Sequence, residues 1–456
     1  LDKPKKNEIV RLKIDDLAFG GKGVAKIDGY VVLVEGGLPG DVVDAYLYKV
    51  KSNYAEGRVD KLIEPSPHRI VPACEHFDYC GGCKWQNLEY SIQKKYKENQ
   101  LKEALIHIGN IPEPPVEPII SAHKIYYYRN KMEFSFHAGD NNETLLGLHR
   151  AGRYQDVFQL SKCHLQSETS NEIVNFVRQR SIELEIPPYH IREHEGCLRF
   201  LVIRDGKFTG QTLVNLVTGI CDTDTVKKLC EEIGNRFDEV VSVSHTINSK
   251  KASIAKGDRE AIFYGSDHIH ERLGEKEYRI SSNSFFQTNS YQAQRLYDIA
   301  VELAQPDKLD RMIDLYTGTG TIAIYFANLV KEVVGVETVA EAVADAEINA
   351  RLNNITNSSF IAADVEQYLR AAADNNEKYD LMVVDPPRAG CHPKAIKSIL
   401  KIMPQKIVYI SCNPATLARD VASLIEGGYR LERAVPIDLF PHTYHIESAC
   451  RLTLNE

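Results

Sequence analysis

Between Met312 and Leu454, short apolar runs rich in β-branched residues alternate with helical stretches, and this alternation restricts the fold more than any other feature of the chain. The strand-like runs are 312–315, 333–336, 360–362, 381–384 and 407–410, with helical patterns at 321–327, 340–353, 365–373, 393–403 and 417–426. Strands separated by helices cannot pair as hairpins. They need crossovers, and so form a parallel, doubly wound sheet with helices on both faces. Two further strands, 433–439 and 450–454, have no helix between them and predict an antiparallel edge. A helix over 290–303 precedes the series.

In such a sheet, ligands bind beyond the carboxyl ends of the strands. The first strand runs into Asp314-Leu315-Tyr316-Thr317-Gly318-Thr319-Gly320, whose glycines let backbone approach a ligand and whose following helix favours negative charge. Glu337 closes the second strand at the offset, roughly 20 residues, expected of a ribose-hydroxyl acceptor. These features fit NAD and S-adenosylmethionine equally. A missing third glycine, Asp364 after the third strand and Asp385-Pro386-Pro387 after the fourth favour S-adenosylmethionine. The fifth strand ends at Ser411-Cys412-Asn413-Pro414, so Cys412 is a candidate nucleophile delivered by a strand end. Its plainer reading is a buried thiol acting as a small hydrophobe.

The 456 residues exceed one ordinary core and predict two or three domains. With 43% hydrophobic and 26% charged residues and no apolar run long enough for a bilayer, the chain reads as globular, with no membrane partner. No charged-then-apolar leader opens it, so a cytoplasmic location is expected. A net charge of −8 excludes a generic nucleic-acid coat but not a local basic groove. Ten cysteines in a chain of this length do not make a disulfide scaffold, and clustered ones point to metal binding or catalysis.

Three domains are expected, at 1–64, 65–278 and 279–456. The first has short strands at 10–14, 30–34, 42–47 and 54–59 punctuated by Gly20-Gly21-Lys22-Gly23 and Gly36-Gly37-Leu38-Pro39-Gly40, the pattern of a small β-barrel of OB-like type. The second opens on Cys74, Cys80 and Cys83, with five and two residues between them, and Cys163 is the best fourth ligand. Four thiolates hold zinc or an iron–sulfur cluster, and spacing does not separate the two; base rates favour zinc. His76 and His164 are alternative ligands. Residues 91–109 form a helix expected to pack on the catalytic domain, with Lys94, Lys95, Lys97 and Lys102 on a solvated or RNA-facing side. The remainder is α+β, with strands at 132–136, 145–148, 198–203, 211–217 and 242–247 and helices at 170–184 and 223–233. Tyr126-Tyr127-Tyr128-Arg129 reads either as a stacking surface for single-stranded RNA or as the start of a tyrosine-rich strand.

The motifs Phe286-Gln287-Thr288-Asn289, Asp314-Leu315-Tyr316-Thr317-Gly318, Asp385-Pro386-Pro387-Arg388-Ala389-Gly390, Ser411-Cys412-Asn413-Pro414 and Phe440-Pro441-His442-Thr443-Tyr444-His445-Ile446-Glu447 occur in that order. Together they resemble the RNA uracil-5-methyltransferases, and the first domain resembles a TRAM domain, an RNA-binding barrel. The likeness spans essentially the whole chain. It implies S-adenosylmethionine contacts at Gln287, Tyr316, Thr321, Glu337, Asp364 and Asp385, and catalytic roles for Cys412 and Glu447. It implies a 4Fe–4S cluster on Cys74, Cys80, Cys83 and Cys163, with zinc as the fallback. The barrel and the cysteines favour the 23S ribosomal RNA branch over the transfer-RNA branch; no obligate protein partner is evident, and a monomer is expected. In that chemistry a thiolate adds to carbon 6 of uracil, carbon 5 takes the methyl group, and a base removes the carbon-5 proton. Read without the resemblance, Glu447 is a surface acid in a loop. An amino-methyltransferase, a radical enzyme and a non-catalytic RNA binder are the alternatives.

Overall fold

The computed structural model describes residues 4–139 and 143–455. The outermost residues of the first and last expected domains, 1–3 and 456, lie outside that range, and every candidate site residue lies within it.

The first sheet contains β1 (Ile9–Lys13), β2 (Asp16–Leu17), β3 (Gly23–Ile27), β4 (Tyr30–Glu35), β5 (Val42–Val50) and β6 (Tyr54–Glu64), in the order β1-β5-β6-β4-β3-β2. Its two edge strands are joined only by Ile14 and Asp15, so the sheet curls back on itself around Leu12, Ala25, Val32, Val34, Val43, Ala45 and Leu47. Helix α1 (Tyr90–His107) follows the cysteine segment. The central sheet uses β7 (Lys131–Ala138), β8 (Thr144–Arg150), β9 (Arg153–Gln159), β10 (Leu198–Asp205), β11 (Thr212–Thr218), β12 (Val240–Ile247) and β13 (Arg259–Gly265), with α2 (Glu168–Glu183) and α3 (Thr223–Arg236) packed on it. A separate hairpin, β14 (His268–Leu273) and β15 (Lys276–Ser281), leads to α4 (Ser290–Ala304).

Of the ten cysteines, Cys197 and Cys221 are disulfide-bonded. The antiparallel pairing of β10 with β11 joins Leu198 to Thr218, which brings the flanking cysteines together.

The last sheet is built from β16 (Arg311–Leu315), α5 (Thr321–Ala327), β17 (Glu332–Glu337), α6 (Ala340–Leu352), β18 (Ser358–Ala362), α7 (Val365–Asp374), β19 (Leu381–Val384), α8 (Pro393–Ile402), β20 (Lys406–Ser411), α9 (Pro414–Glu426), β21 (Tyr429–Ile437) and β22 (Glu447–Leu454). Its order is β18-β17-β16-β19-β20-β22-β21. The first five strands are parallel, as the alternation requires, and β22 runs antiparallel between β20 and β21. Strand order reverses between β16 and β19, which opens a crevice at their carboxyl ends. Leu296, Ile324 and Ala350 fill one face, and Leu369, Ile399, Leu417 and Val421 the other. Leu101 and Leu105 of α1 belong to that second core, so α1 lies against the catalytic sheet's helices. The reading of α1's lysines as a solvated face is corrected at Lys97, which is 0% exposed. Residues around Val116 and Ile120 pair with Ala434 and Ile437 and cover the outer edge of β21.

Candidate active site

The pairing of β20 with β22 sets the centre of the site. Ile410 faces Ala449 and Ser411 faces Ser448, so one further step of the same antiparallel register sets Cys412 against Glu447. Cys412 is half-buried between the end of β20 and the first turn of α9, where Asn413 caps the helix through its side chain. Glu447 is not a surface loop acid. It opens β22, pairs with Ile437 of β21 and is 4% exposed. Asp385 leaves the neighbouring strand β19 at the same end, followed by Arg388, whose carbonyl accepts hydrogen bonds from Asn413 Nδ2 at 3.1 Å and Thr416 Oγ1 at 3.3 Å.

These groups feel one another. Burial pushes the Cys412 thiol up to about 11; Glu447 and Asp385 push the same way, and Arg388 opposes them. Burial holds the Glu447 carboxyl well above the usual carboxylate range, with Asp385 adding and Arg388 again opposing. Burial alone pushes Asp385 up to about 6. Cys412 and Glu447 thus share the Arg388 guanidinium, while Asp385 raises them both and is itself raised by burial.

The crevice beside them is lined by the glycine turn. Tyr316 has φ +62°, an unusual conformation for a tyrosine, and it swings the chain out of β16. Gly318 N–H donates to Glu337 Oε2 at 3.2 Å and Val339 N–H to Oε1 at 3.0 Å, which fixes the carboxylate at the end of β17 while leaving lone pairs free. A side chain at Gly320 would meet Ala346 Cβ at 2.9 Å and Phe360 at 3.0 Å, which requires glycine there. Beneath the turn, buried Asp314 accepts from Thr317 Oγ1 at 2.5 Å and from Ala323 N–H at 3.1 Å through Oδ2, while its Oδ1 is buried without a partner. Its carboxyl is pushed up to about 7, chiefly by burial. Asp314 appears in the sequence motif, but no periodicity or spacing marks it as an orphaned buried acid.

The other expected contacts are arranged less uniformly. Thr321 opens α5, and its hydroxyl pairs with the Tyr297 hydroxyl at 3.1 Å. Asp364 is exposed and caps α7 by accepting from Gln367 N–H at 3.0 Å. Gln287 is half-buried, and its carbonyl accepts from Asn130 Nδ2 at 2.9 Å, joining the central domain to the catalytic one.

The segment before Glu447 lacks regular structure, yet every backbone carbonyl from Asp438 to His442 is claimed by a donor outside it. Gln292 Nε2 reaches Asp438 O at 3.1 Å, Asn289 Nδ2 reaches Leu439 O at 2.8 Å, and Lys97 Nζ reaches Phe440 O at 3.0 Å. The Tyr128 hydroxyl donates to Pro441 O at 3.1 Å, and the N–H groups of Lys84 and Trp85 donate to His442 O at 2.8 and 3.0 Å. Lys97 also pairs with Asp438 at 2.7 Å, and both side chains are 0% exposed. Tyr128 is thus a buried strut rather than a base-stacking surface, and Tyr126 stacks on His442 with ring centroids 4.5 Å apart.

Cys74, Cys80, Cys83 and Cys163 line one cavity together with His76, His164, Gln86 and Met132. Gln86 Nε2 donates to Cys83 Sγ at 3.2 Å and Gly82 N–H to Cys80 Sγ at 3.4 Å. Burial pushes Cys83 up to about 12 and Cys163 up to about 11, and the neighbouring thiols add to both shifts. His76 Nε2 accepts from Ser161 N–H at 3.1 Å, so its ring is already engaged. Among the described residues, no group of three or more His, Cys, Asp or Glu side chains is set to hold a metal ion.

The profile described as tRNA (uracil-5-)-methyltransferase matches residues 89–455, and that of the TRAM domain matches residues 3–59. An uncharacterized RNA methyltransferase of Chlorobaculum tepidum is 40% identical over 98% of this chain and 96% of its own. One from Halalkalibacterium halodurans is 38% identical over 98% of both chains. The crystal structure of Pyrococcus abyssi tRNA (uracil-54, C5)-methyltransferase in complex with S-adenosyl-L-homocysteine is 32% identical. It covers 97% of this chain and 100% of its own with a TM-score of 0.79. Among the described residues, no helix is long and apolar enough to cross a membrane.

Proposed function

The chain belongs to the RNA uracil-5-methyltransferase family, an S-adenosylmethionine-dependent group, and from that premise we propose that it methylates carbon 5 of a specific uridine, in 23S ribosomal RNA foremost, through a covalent bond between Cys412 and carbon 6 of the uracil. The observation that carries this reading is the strand register that sets Cys412 against Glu447 beside Asp385.

S-adenosylmethionine supplies an electrophilic methyl group on a cationic sulfonium. The crevice fits it: Glu337 offers free lone pairs to a ribose, Asp314 has an unpartnered buried oxygen, and Asp385 and Glu447 are buried acids whose ionised forms an added cation would favour. Gln287, Tyr316, Thr321 and Asp364 complete the proposed contacts. Of these, Thr321 would act through its backbone, because its hydroxyl is engaged with Tyr297.

The target base must leave its stack to reach Cys412, at a cost of a few kcal/mol. In the ligand-free site the thiol is protonated, since about 11 lies far above neutral pH. Its proton passes to solvent water as sulfur adds to carbon 6, and Arg388 is the cation that favours the thiolate. The resulting enolate places electron density on carbon 5, which takes the methyl group. Glu447, raised by burial and by Asp385, loses its proton more readily when a cation occupies the crevice, and the carboxylate then removes the carbon-5 proton. Elimination breaks the bond from sulfur to carbon 6 and releases the Cys412 thiolate, which regains a proton from the newly protonated Glu447, so that both groups return to their starting forms once Glu447 is again a carboxylate.

Cys74, Cys80, Cys83 and Cys163 would hold a 4Fe–4S cluster, with zinc as the fallback. The donors aimed at Cys80 and Cys83 suit metal-bound thiolates, and a cavity shared by four thiols suits a cluster larger than one ion. The cluster's role is to fold the central domain and shape an RNA surface; no chemical step passes through it.

Transfer RNA is a second reading, supported by the full-length likeness to the Pyrococcus abyssi enzyme. The test is to map 5-methyluridine in total RNA from a deletion strain and to repeat the methylation in vitro on 23S and transfer-RNA transcripts. A 5-methyluridine missing from 23S RNA supports the first reading. Loss confined to transfer RNA supports the second, and loss in neither overturns both.

A further inference from the structure

Helix α1 lies outside the catalytic sheet but touches both sides of the proposed chemistry. Its Leu101 and Leu105 pack in the core with Leu417 and Val421 of α9, the helix that follows Cys412. One to two turns earlier on the same helix, Lys97 and Gln93 grip the segment that leads into Glu447. Lys97 Nζ holds Asp438 at 2.7 Å and Phe440 O at 3.0 Å. Gln93 Oε1 accepts His442 N–H at 2.9 Å, and its Nε2 donates to Trp85 O and Leu88 O at 2.8 Å each.

A fully buried ion pair is costly, and an apolar pair of similar volume would usually stabilise the fold as well. What the pair adds is direction. The ammonium has several donors, and two of them are spent on fixed points of an irregular segment that packing alone would not orient. The His442 backbone is held at φ +65°, a left-handed turn unusual for histidine, at the point where Gln93, Lys84 and Trp85 converge. Five residues later the chain enters β22 at Glu447 itself.

We propose that Lys97 and Gln93 are positioning residues for the proton-abstraction step: α1 acts as a brace that fixes the Asp438–His442 segment, and through it Glu447, relative to Cys412. The proposal rests on the reading of Glu447 as the base. It also gives the cysteine segment a mechanical role, since Lys84 and Trp85, directly after Cys83, hold the His442 carbonyl.

The test follows the covalent enzyme–RNA adduct. Glu447 acts after methyl transfer, so a displaced base stalls the reaction with methylated RNA still bonded to Cys412. The variants are Gln93→Met and the charge-balanced double substitution Lys97→Met with Asp438→Asn, which leaves no unpaired buried charge. Each is mixed with unmodified substrate RNA and S-adenosylmethionine, and single-turnover methyl transfer, steady-state turnover, KM for RNA and the adduct on a denaturing gel are measured. Expected are single-turnover transfer within about threefold of the parent, unchanged KM, turnover lower by ~10-fold or more, and a persistent methylated adduct. Loss of transfer and turnover in proportion, without an adduct, marks a merely structural role and overturns the proposal, as does unchanged turnover in both variants. Glu447→Gln is run in parallel. An adduct that persists in Glu447→Gln but in neither brace variant overturns the brace alone, whereas normal turnover of Glu447→Gln removes the base assignment and the brace with it.

Discussion

Cys412 and the cysteines at 74, 80, 83 and 163 are pushed up by the same cause, burial, yet their neighbours differ. Around Cys412 stand two carboxyl groups and one guanidinium, groups that take, hold and release protons. Around Cys83 and Cys163 stand other thiols, with N–H donors aimed at the sulfurs of Cys80 and Cys83. A buried thiol beside acids is what the proposed proton-coupled attack requires; buried thiols lining one cavity are what the proposed inorganic centre requires. Burial alone does not assign a cysteine, and the partners across the cavity do.

Substitutions in the two regions should therefore fail differently. The largest effect is expected for Cys412→Ala, which should lower methyl transfer to RNA by at least ~10³-fold while leaving S-adenosylmethionine binding and thermal stability close to the parent, as measured by radiolabel incorporation, calorimetry and melting. Glu447→Gln should lower turnover by ~10²-fold or more and trap methylated RNA on the enzyme, seen as a protein band shifted in a denaturing gel. In the other region, Cys163→Ser should abolish the visible absorbance of the proposed iron–sulfur centre and cost at least about 2 kcal/mol of stability in denaturant titrations. Its transfer rate per folded molecule should fall far less than that of Cys412→Ala. Equal losses in the two would erase the distinction.

A different kind of effect concerns pH. The Asp314 carboxyl lies at about 7 in the fold, against 3.8 as its ordinary value. Between those values the native state holds a proton that the unfolded chain has released, so ligand-free stability should fall as pH rises from about 4 to about 7. Asp314→Asn should flatten that part of the profile, by an amount on the order of 4 kcal/mol across the window, in urea titrations at several pH values.

Much of the catalytic sheet is legible in the sequence because its strands are buried on both faces and read as continuous apolar runs. Residues 312–315, 381–384 and 407–410 are strands within a residue or so of where the pattern sets them. Strands β13, β14 and β15 left no such signal: Arg259–Gly265 is largely exposed, and His268–Leu273 and Lys276–Ser281 are mostly polar. In the barrel, β3 was hidden in what reads as a glycine turn, since Gly23 already belongs to the strand. The start of β22 was missed because Glu447 and Ser448 are polar but buried. Lys97 is the clearest failure. On the helix it looks like one of several solvated lysines, and only Asp438, 341 residues away in sequence, shows that it is a core residue. Local pattern finds elements; partners distant in sequence decide what their polar residues do.

The central claim is the bond between Cys412 and the base, and it is tested most directly with RNA carrying 5-fluorouridine at the target position. After methyl transfer, fluorine on carbon 5 cannot leave as a proton does, so elimination is blocked. Digestion and mass spectrometry should recover the peptide containing Cys412 linked to a methylated 5-fluorouridine nucleotide, with no such product from Cys412→Ala. Methylation of ordinary RNA without any adduct on Cys412 would contradict the account.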